Sequence, residues 1–427
     1  METTNLIYAA FTKAHKVSTD SRKIEQDAVF FALRGEHFDG NDFALQVAES
    51  GIASLVVCDR DDIPAHPRII KVDDSLKALQ DLARHHRHQM KARVLSITGT
   101  NGKTTTKELV SAVLAQKYRI IHTEGNLNNH IGVPLTLLNI LPDTEIAVVE
   151  MGANHPGEID TLAHIACPDC GLITNIGKAH LEGFGSFQGV IDTKTELYRY
   201  IKAHGDFVFV NRGNDLLWEL SAEQKRVSYG HHNEADFLVT PGDCNPFLSV
   251  TWNQHAVQTH LVGSYNFENV AAAIAVGQHF GVDDNQIKAA LENYQPTNSR
   301  SQVIESGKNR IIMDAYNANP TSMQASVRNF RNICSEQHLL ILGDMRELGQ
   351  DAETEHKAIL KLIDELQYQA AYLVGPNFKA FNDNPQWMTF DDADSLNEYI
   401  DSHPIIGKDI LVKGSRGIHL EKVLPSL

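Results

Sequence analysis

Short apolar runs alternate with longer stretches of helical spacing along almost the whole chain. Runs at Val29–Ala32, Ser54–Val57 and Ile69–Val72 read as strands. Leu76, Leu79 and Leu82 then recur at helical spacing, which predicts a helix from Ser75, as its N-cap, to about Met90. A second group of strands is predicted at Arg93–Thr98, Ile146–Val149, Leu172–Asn175 and Phe207–Val210, followed by an alanine-rich helix from Asn266 to His279. A third group falls at Arg310–Met313, His338–Leu342, Ala371–Val374 and Asp409–Val412. This alternation predicts an α/β chain of three units, 1–90, 91–297 and 298–427, with open sheets that bind ligands at the carboxyl ends of their strands.

The chain has 427 residues, too many for one ordinary domain, and its 42% hydrophobic content can fill several cores. Its net charge of −16 argues against coating nucleic acid or an anionic membrane. No apolar run approaches the roughly 20 residues of a membrane helix. The first residues lack the basic start and apolar run of a signal peptide. Five scattered cysteines do not make a disulfide framework. A cytoplasmic monomer is expected.

The strongest motif is Thr98-Gly-Thr-Asn-Gly-Lys-Thr-Thr-Thr106. It follows a strand and opens a helix with Leu109, Val110, Val113 and Leu114 on one face. Gly99 and Gly102 let the backbone approach phosphates, and the N–H groups of Thr100, Asn101 and Thr105 can point at the anion. Lys103 can reach the terminal phosphates, and the Thr104 hydroxyl can ligate Mg2+. The longer GxxxxGK[ST] pattern is absent, because Ile97 stands five residues before Gly102. The plain alternative is a glycine turn with an exposed lysine.

Other candidates draw weight from this loop. Glu150 ends an apolar strand, and a carboxylate there can hold the Mg2+ of bound ATP. His180 lies just past another strand end and is a candidate ligand. Lys194, in Asp192-Thr-Lys-Thr-Glu196, reads from composition as an ordinary surface lysine. Cys167-Pro-Asp-Cys170 has no second pair and reads as structural, and His85 and His88 read as a solvated helix end.

With these residues in view, the chain resembles the Mur ligase family over nearly its whole length. The resemblance rests on the phosphate loop, Glu124-Gly-Asn-Leu-Asn-Asn-His-Ile-Gly-Val-Pro134, Val149-Glu-Met-Gly-Ala-Asn154 and the His180 segment. Asp314-Ala-Tyr-Asn-Ala-Asn-Pro320, Leu342-Gly-Asp-Met-Arg-Glu-Leu-Gly349 with His356, and Val412-Lys-Gly-Ser-Arg416 look most like the members that add D-alanyl-D-alanine to a UDP-linked muramoyl tripeptide in peptidoglycan synthesis. The resemblance implies an ATP-dependent ligase working through an acyl phosphate. It implies a small N-terminal α/β domain for the UDP-sugar. A central phosphate-loop domain with a mostly parallel sheet would take ATP, and a C-terminal Rossmann-like domain the dipeptide.

The same resemblance implies residue roles. Lys103 would contact the ATP phosphates, Thr104 and Glu150 would hold one Mg2+, and His180 would help hold a second. Lys194 aligns with a lysine that the family carbamylates to support Mg2+. Asn266 and Asn269 would lie near the adenine, and Arg300 and Asp314 would hold the ribose and phosphates. Ser21, Arg22 and Asp39 fall in segments resembling the UDP-sugar site. Asn126, Asn129, Tyr316, Asn317 and Asn319 would face the peptide substrates. Three positions depart from the family pattern: Tyr265 for histidine, Ser299 for glycine, and Gln26-Asp27 for a Pro-Gly pair. The rival from another class is a phosphate-loop switch that hydrolyses ATP without an acceptor.

Overall fold

The structure is a computed structural model describing residues 2–296 and 299–427. The boundary expected between 297 and 298 lies outside the described residues. Three α/β units follow one another, each around a largely parallel sheet.

The first sheet runs Val17–Ser18, Val29–Phe31, Leu55–Cys58, Ile69–Lys71, all parallel. Both faces of Val29–Phe31 are buried, as a parallel sheet between helices requires. Phe31 packs with Ile7, Phe11, Leu79 and Leu82 of helices Glu2–Ala14 and Ser75–Gln89. Phe30 packs on Ala44–Ser50. The N-cap expected at Ser75 is instead Asp74. Its backbone is extended and its carboxylate accepts the Lys77 N–H at 2.9 Å, while Ser75 is already helical and fully buried. An aspartate there also meets the positive end of the helix dipole.

The central sheet has seven parallel strands in the order Phe237–Leu238, Arg226–Gly230, Phe207–Asn211, Cys170–Ile173, Arg93–Thr98, Ile146–Glu150, Ile120–His122. One face is covered by Lys103–Leu114, through Leu109, Val110, Val113 and Leu114, and by the alanine-rich Phe267–His279. The other carries Glu158–Ala166 and Glu196–His204. An antiparallel sheet of Thr240–Cys244, Phe247–Trp252 and His255–Val262 was not anticipated.

The third sheet runs Gln302–Glu305, Arg310–Asp314, Asp409–Lys413, His338–Gly343, Ala371–Val374, Met388–Phe390. Only its first pairing is antiparallel. Pro320–Ile333 and Ala352–Glu365 pack on one face and Ala393–Ser402 on the other. Among the described residues, no helix is long and apolar enough to cross a membrane.

Candidate active site

The turn after Arg93–Thr98 is shaped by two glycines. Gly99 has φ +143°, and a Cβ there would lie 2.0 Å from the Thr174 hydroxyl. Gly102 has φ +77°, and its Cβ would lie 2.4 Å from Asn269 Oδ1. Both sites therefore exclude a side chain on conformation and on space. Asn101 N–H donates to Asn175 Oδ1 at 2.9 Å, and Thr174 Oγ1 donates to the Asn101 carbonyl at 2.6 Å. No side chain caps the start of helix Lys103–Leu114, so its first N–H groups are open to an anion, and Lys103, Thr104 and Thr105 line the space above the loop. Lys103 Nζ donates to the carbonyls of Gly99 at 2.8 Å and Thr100 at 3.0 Å. Burial lowers its pKa, and the nearby Glu150 carboxylate opposes that shift.

Glu150 is the deepest acid of the site, 1% exposed at the end of Ile146–Glu150. Its Oε1 accepts from Thr104 Oγ1 at 3.2 Å and Asn128 Nδ2 at 2.8 Å. Its Oε2 is buried without a hydrogen-bond partner. A partnerless buried carboxylate oxygen beside a hydroxyl at a phosphate loop is a donor set suited to a hard divalent cation. Thr104 and Glu150 thus fit Mg2+. Among the described residues no three His, Cys, Asp or Glu side chains form a metal site, so the protein alone supplies an incomplete shell. That is how Mg2+ is held when phosphates complete its coordination.

Lys194 corrects its reading as a surface lysine. It closes helix Phe187–Lys194 and is 2% exposed, with Nζ 3.5 Å from the Ala153 carbonyl and 5.4 Å from the Phe184 ring centroid. Burial, reinforced by the Lys103 charge, lowers its pKa from 10.5 to about 7. His180 Nδ1 pairs with Glu347 of the third unit, and this contact lowers the Glu347 pKa.

A cavity of about 1050 Å3 joins the central and third units above the loop. Asn101, Lys103, Thr104, Glu150 and His180 line it, with Asn126, Asn129, Asn266, Asn269, Arg300, Asp314, Tyr316, Asn317 and Asn319. Asn319 caps Pro320–Ile333, and its Nδ2 donates to Asn101 Oδ1 at 2.7 Å. Lys178 pairs with Glu355 at 2.7 Å, and the Tyr265 hydroxyl meets Ser301 Oγ at 2.9 Å. Asp314 Oδ2 accepts from Lys413 Nζ at 2.6 Å and Ser326 Oγ at 2.9 Å. Arg300 lies 3.7 Å over the Tyr316 ring.

Comparison with known proteins places this arrangement. Family models match in chain order: Mur ligase family, catalytic domain, at 13–87; Mur ligase middle domain at 97–277; and Mur ligase, glutamate ligase domain, at 299–415. The UDP-N-acetylmuramoyl-tripeptide–D-alanyl-D-alanine ligase of Bacillus subtilis is 36% identical, covering 97% of this chain and 93% of its own. This chain belongs to the Mur ligase family. The enzyme of the same name from Escherichia coli is 34% identical over 96% of this chain and 93% of its own. A crystal structure of MurF from Acinetobacter baumannii superposes with a TM-score of 0.86 at 31% identity, covering 96% of this chain and 93% of that one. MurF from Thermotoga maritima, in complex with ADP, gives 0.84 at 26% identity, with 96% of each chain covered.

Within this Mur ligase the first unit's candidates stand apart from the cavity. Arg22 is engaged by Asp20, Nε to Oδ1 at 2.9 Å, and this lowers the Asp20 pKa to about 2. Asp39 accepts from Asn41 N at 2.9 Å and Nδ2 at 2.8 Å. Neither these residues nor Ser21 line the cavity.

Residue-by-residue reading overlooked Asn128, which holds Glu150, while its neighbour Asn129 accepts the Gly132 N–H at 2.9 Å in the turn that leads into Gly132–Leu138. It also overlooked Lys107, 2% exposed, whose Nζ donates to the Thr123 carbonyl at 2.8 Å. Thr123 Oγ1 in turn accepts the Glu150 N–H at 2.9 Å. The four-residue spacing of Lys103 and Lys107 was the only available signal, since it puts both on one helix face.

Proposed function

We propose that this Mur ligase joins D-alanyl-D-alanine to UDP-N-acetylmuramoyl-tripeptide at the expense of ATP, giving the UDP-linked pentapeptide of peptidoglycan synthesis. The observation that carries the reading is the partnerless Glu150 oxygen, beside Thr104 and the phosphate loop, in a cavity walled by two units. The first unit takes the UDP-sugar (1–90), the second ATP (91–297) and the third the dipeptide (298–427). ATP and a UDP-linked substrate are cytosolic metabolites, and the five cysteines are unpaired, which supports a cytoplasmic site of action.

The tripeptide's terminal carboxylate is a poor electrophile. One of its oxygens forms a bond to the γ-phosphorus, and the bond to the bridging oxygen breaks, releasing ADP. The acyl phosphate now has a good leaving group. The dipeptide amine attacks the carbonyl carbon, loses a proton, and the collapsing intermediate expels phosphate. Mg2+, held by Thr104 and Glu150 when bound, supplies charge neutralisation at the phosphates. Lys103 adds a second positive charge once it leaves its loop carbonyls. Asn101, bonded to Asn319, links the phosphate loop to the dipeptide-binding unit, so the reacting groups are held together.

Lys194 is suited to carbamylation. An amine with a pKa of about 7 is substantially neutral at physiological pH, and only the neutral amine adds to CO2. Its carbamate would, with His180, support a second Mg2+, the role that the family resemblance implies for it.

The test is phosphate release with each component omitted in turn. Release should require Mg2+, ATP, tripeptide substrate and D-alanyl-D-alanine together, and yield pentapeptide. Equal release without the two peptide substrates overturns the acceptor assignment.

A further inference from the structure

The cavity has two ends, and the sheet order tells them apart. Glu150 ends the strand on one side of Arg93–Thr98. Phe207–Asn211 ends at the same edge, two strands away on the other side. With neighbouring strands about 4.8 Å apart, the Asn211 end lies roughly 10 Å from the phosphate loop. That matches the reach from a nucleotide's phosphates to its base. With the terminal phosphates by Thr104 and Glu150, the base lies toward Asn214, just past that strand end, and toward Phe267 and Glu268, all of which line the cavity.

Glu268 stands next to Asn269, whose side chain abuts Gly102, so it borders the path from the phosphates. Burial raises its pKa, and the Asn211 side chain, rather than a cation, opposes that shift. Asn211 Oδ1 accepts the Gly213 N–H at 2.9 Å, which leaves its amide nitrogen as the group that can act on Glu268. Glu268 itself is half-buried and lines the cavity. The third unit closes this end from above, where Asn329 Oδ1 accepts the Ser264 N–H at 3.4 Å.

We propose that Glu268 selects adenine by accepting a hydrogen bond from its exocyclic 6-amino group. This rests on the reading of the cavity as an ATP site. An ionised carboxylate only accepts. It pairs with the amino group of adenine and repels the 6-oxo group of hypoxanthine or guanine. Leaving a half-buried acceptor against another acceptor costs on the order of 10- to 100-fold in discrimination.

The experiment compares kcat/KM for ATP, ITP, purine riboside triphosphate and 2′-deoxy-ATP, with both peptide substrates present. The wild type should prefer ATP over ITP and purine riboside triphosphate by about 10-fold or more. Glu268→Gln, whose amide can donate, should raise ITP relative to ATP by about tenfold, with the 2′-deoxy-ATP to ATP ratio unchanged. Glu268→Ala should compress both base preferences. A purely structural role would scale every nucleotide alike. If the ATP to ITP ratio stays within twofold of wild type in both variants, the proposal is wrong. If the 2′-deoxy ratio moves instead, Glu268 binds the ribose and the proposal is likewise overturned. Wild-type turnover that needs neither peptide substrate defeats the ligase reading itself, an outcome separate from these ratios.

Discussion

Replacing Glu150 by glutamine should leave the stability of the ligand-free protein little changed and the enzyme nearly inactive. Glu150 Oε1 takes two donors, Thr104 and Asn128, while Oε2 takes none at 1% exposure. A glutamine of the same shape keeps both donors on its carbonyl oxygen and puts its amide nitrogen where Oε2 stands. An unsatisfied buried amide costs about 1–3 kcal/mol. The carboxylate it replaces has the same unpartnered oxygen, and its charge is opposed by nearby Lys103. The terms nearly cancel, so the ligand-free stability should change by no more than about 1 kcal/mol, roughly 2–4 °C in Tm for a domain of this size. Catalysis does not stay level. Loss of a charged Mg2+ ligand removes several kcal/mol of charge stabilisation, so turnover should fall about 100-fold or more. Thermal melting with and without Mg2+ and ATP, beside phosphate release, tests both statements. A Glu150→Gln protein that melts far below wild type alone, yet shows the same rise in Tm with Mg2+ and ATP, would make Glu150 a structural acid and refute the argument.

The other tests probe the shell around this acid. Lys107→Met leaves the Thr123 carbonyl without its 2.8 Å donor, so Tm should fall by the equivalent of about 1–3 kcal/mol and the KM for Mg2+ should rise as the Glu150 strand end loosens. An unchanged melting curve counts against a tie through Thr123. Gly102→Ala drives a Cβ to 2.4 Å from Asn269 Oδ1 at φ +77°, so ATP affinity measured by calorimetry should drop about tenfold or more, and wild-type affinity rejects the fit of the loop. Between pH 7 and 10.5 the Lys194 amine binds a proton in the unfolded chain but not in the native one. Its contribution to stability therefore rises with pH across that window, by up to about 1.4 kcal/mol per pH unit. In CO2-free buffer, Lys194→Met should flatten the rise of the urea midpoint between pH 7.5 and 9.5, and parallel curves would contradict the buried-amine account.

Strands buried on both faces were legible, because their apolar runs need no partner sequence to be recognised: Val29–Phe31, Arg93–Thr98, His338–Gly343 and Asp409–Lys413 all lie where the pattern predicts. The antiparallel sheet from Thr240 to Val262 was not, because Thr240–Cys244 exposes most of its residues and gives no alternation to read. Ile120–His122 is as short as Val29–Phe31 but lies at the sheet edge, only partly buried and ending in an exposed histidine, so it gives no apolar run to recognise. The Ser75 cap failed for a local reason: two neighbouring residues could both cap, and the choice turns on which one remains extended.

Charged residues set the limit of such reading, and for one cause. A lysine in a helix is ordinarily a solvated lysine, so Lys107 and Lys194 look alike in sequence to Lys202, yet the first two are 2% exposed and the third is not buried. Burying an amine is costly unless something compensates it. Lys107 is compensated within the fold, by the Thr123 carbonyl. Lys194 has only a 3.5 Å approach to the Ala153 carbonyl and a pKa driven down to about 7. Glu150 Oε2 has no hydrogen-bond partner at all, and Glu150 lines the cavity. A carboxylate oxygen left without a partner in the wall of a cavity implies that its partner comes from what binds there. That inference from energetics needs the folded structure, whereas the motif that leads to the cavity can be read from nine consecutive letters, Thr98 to Thr106.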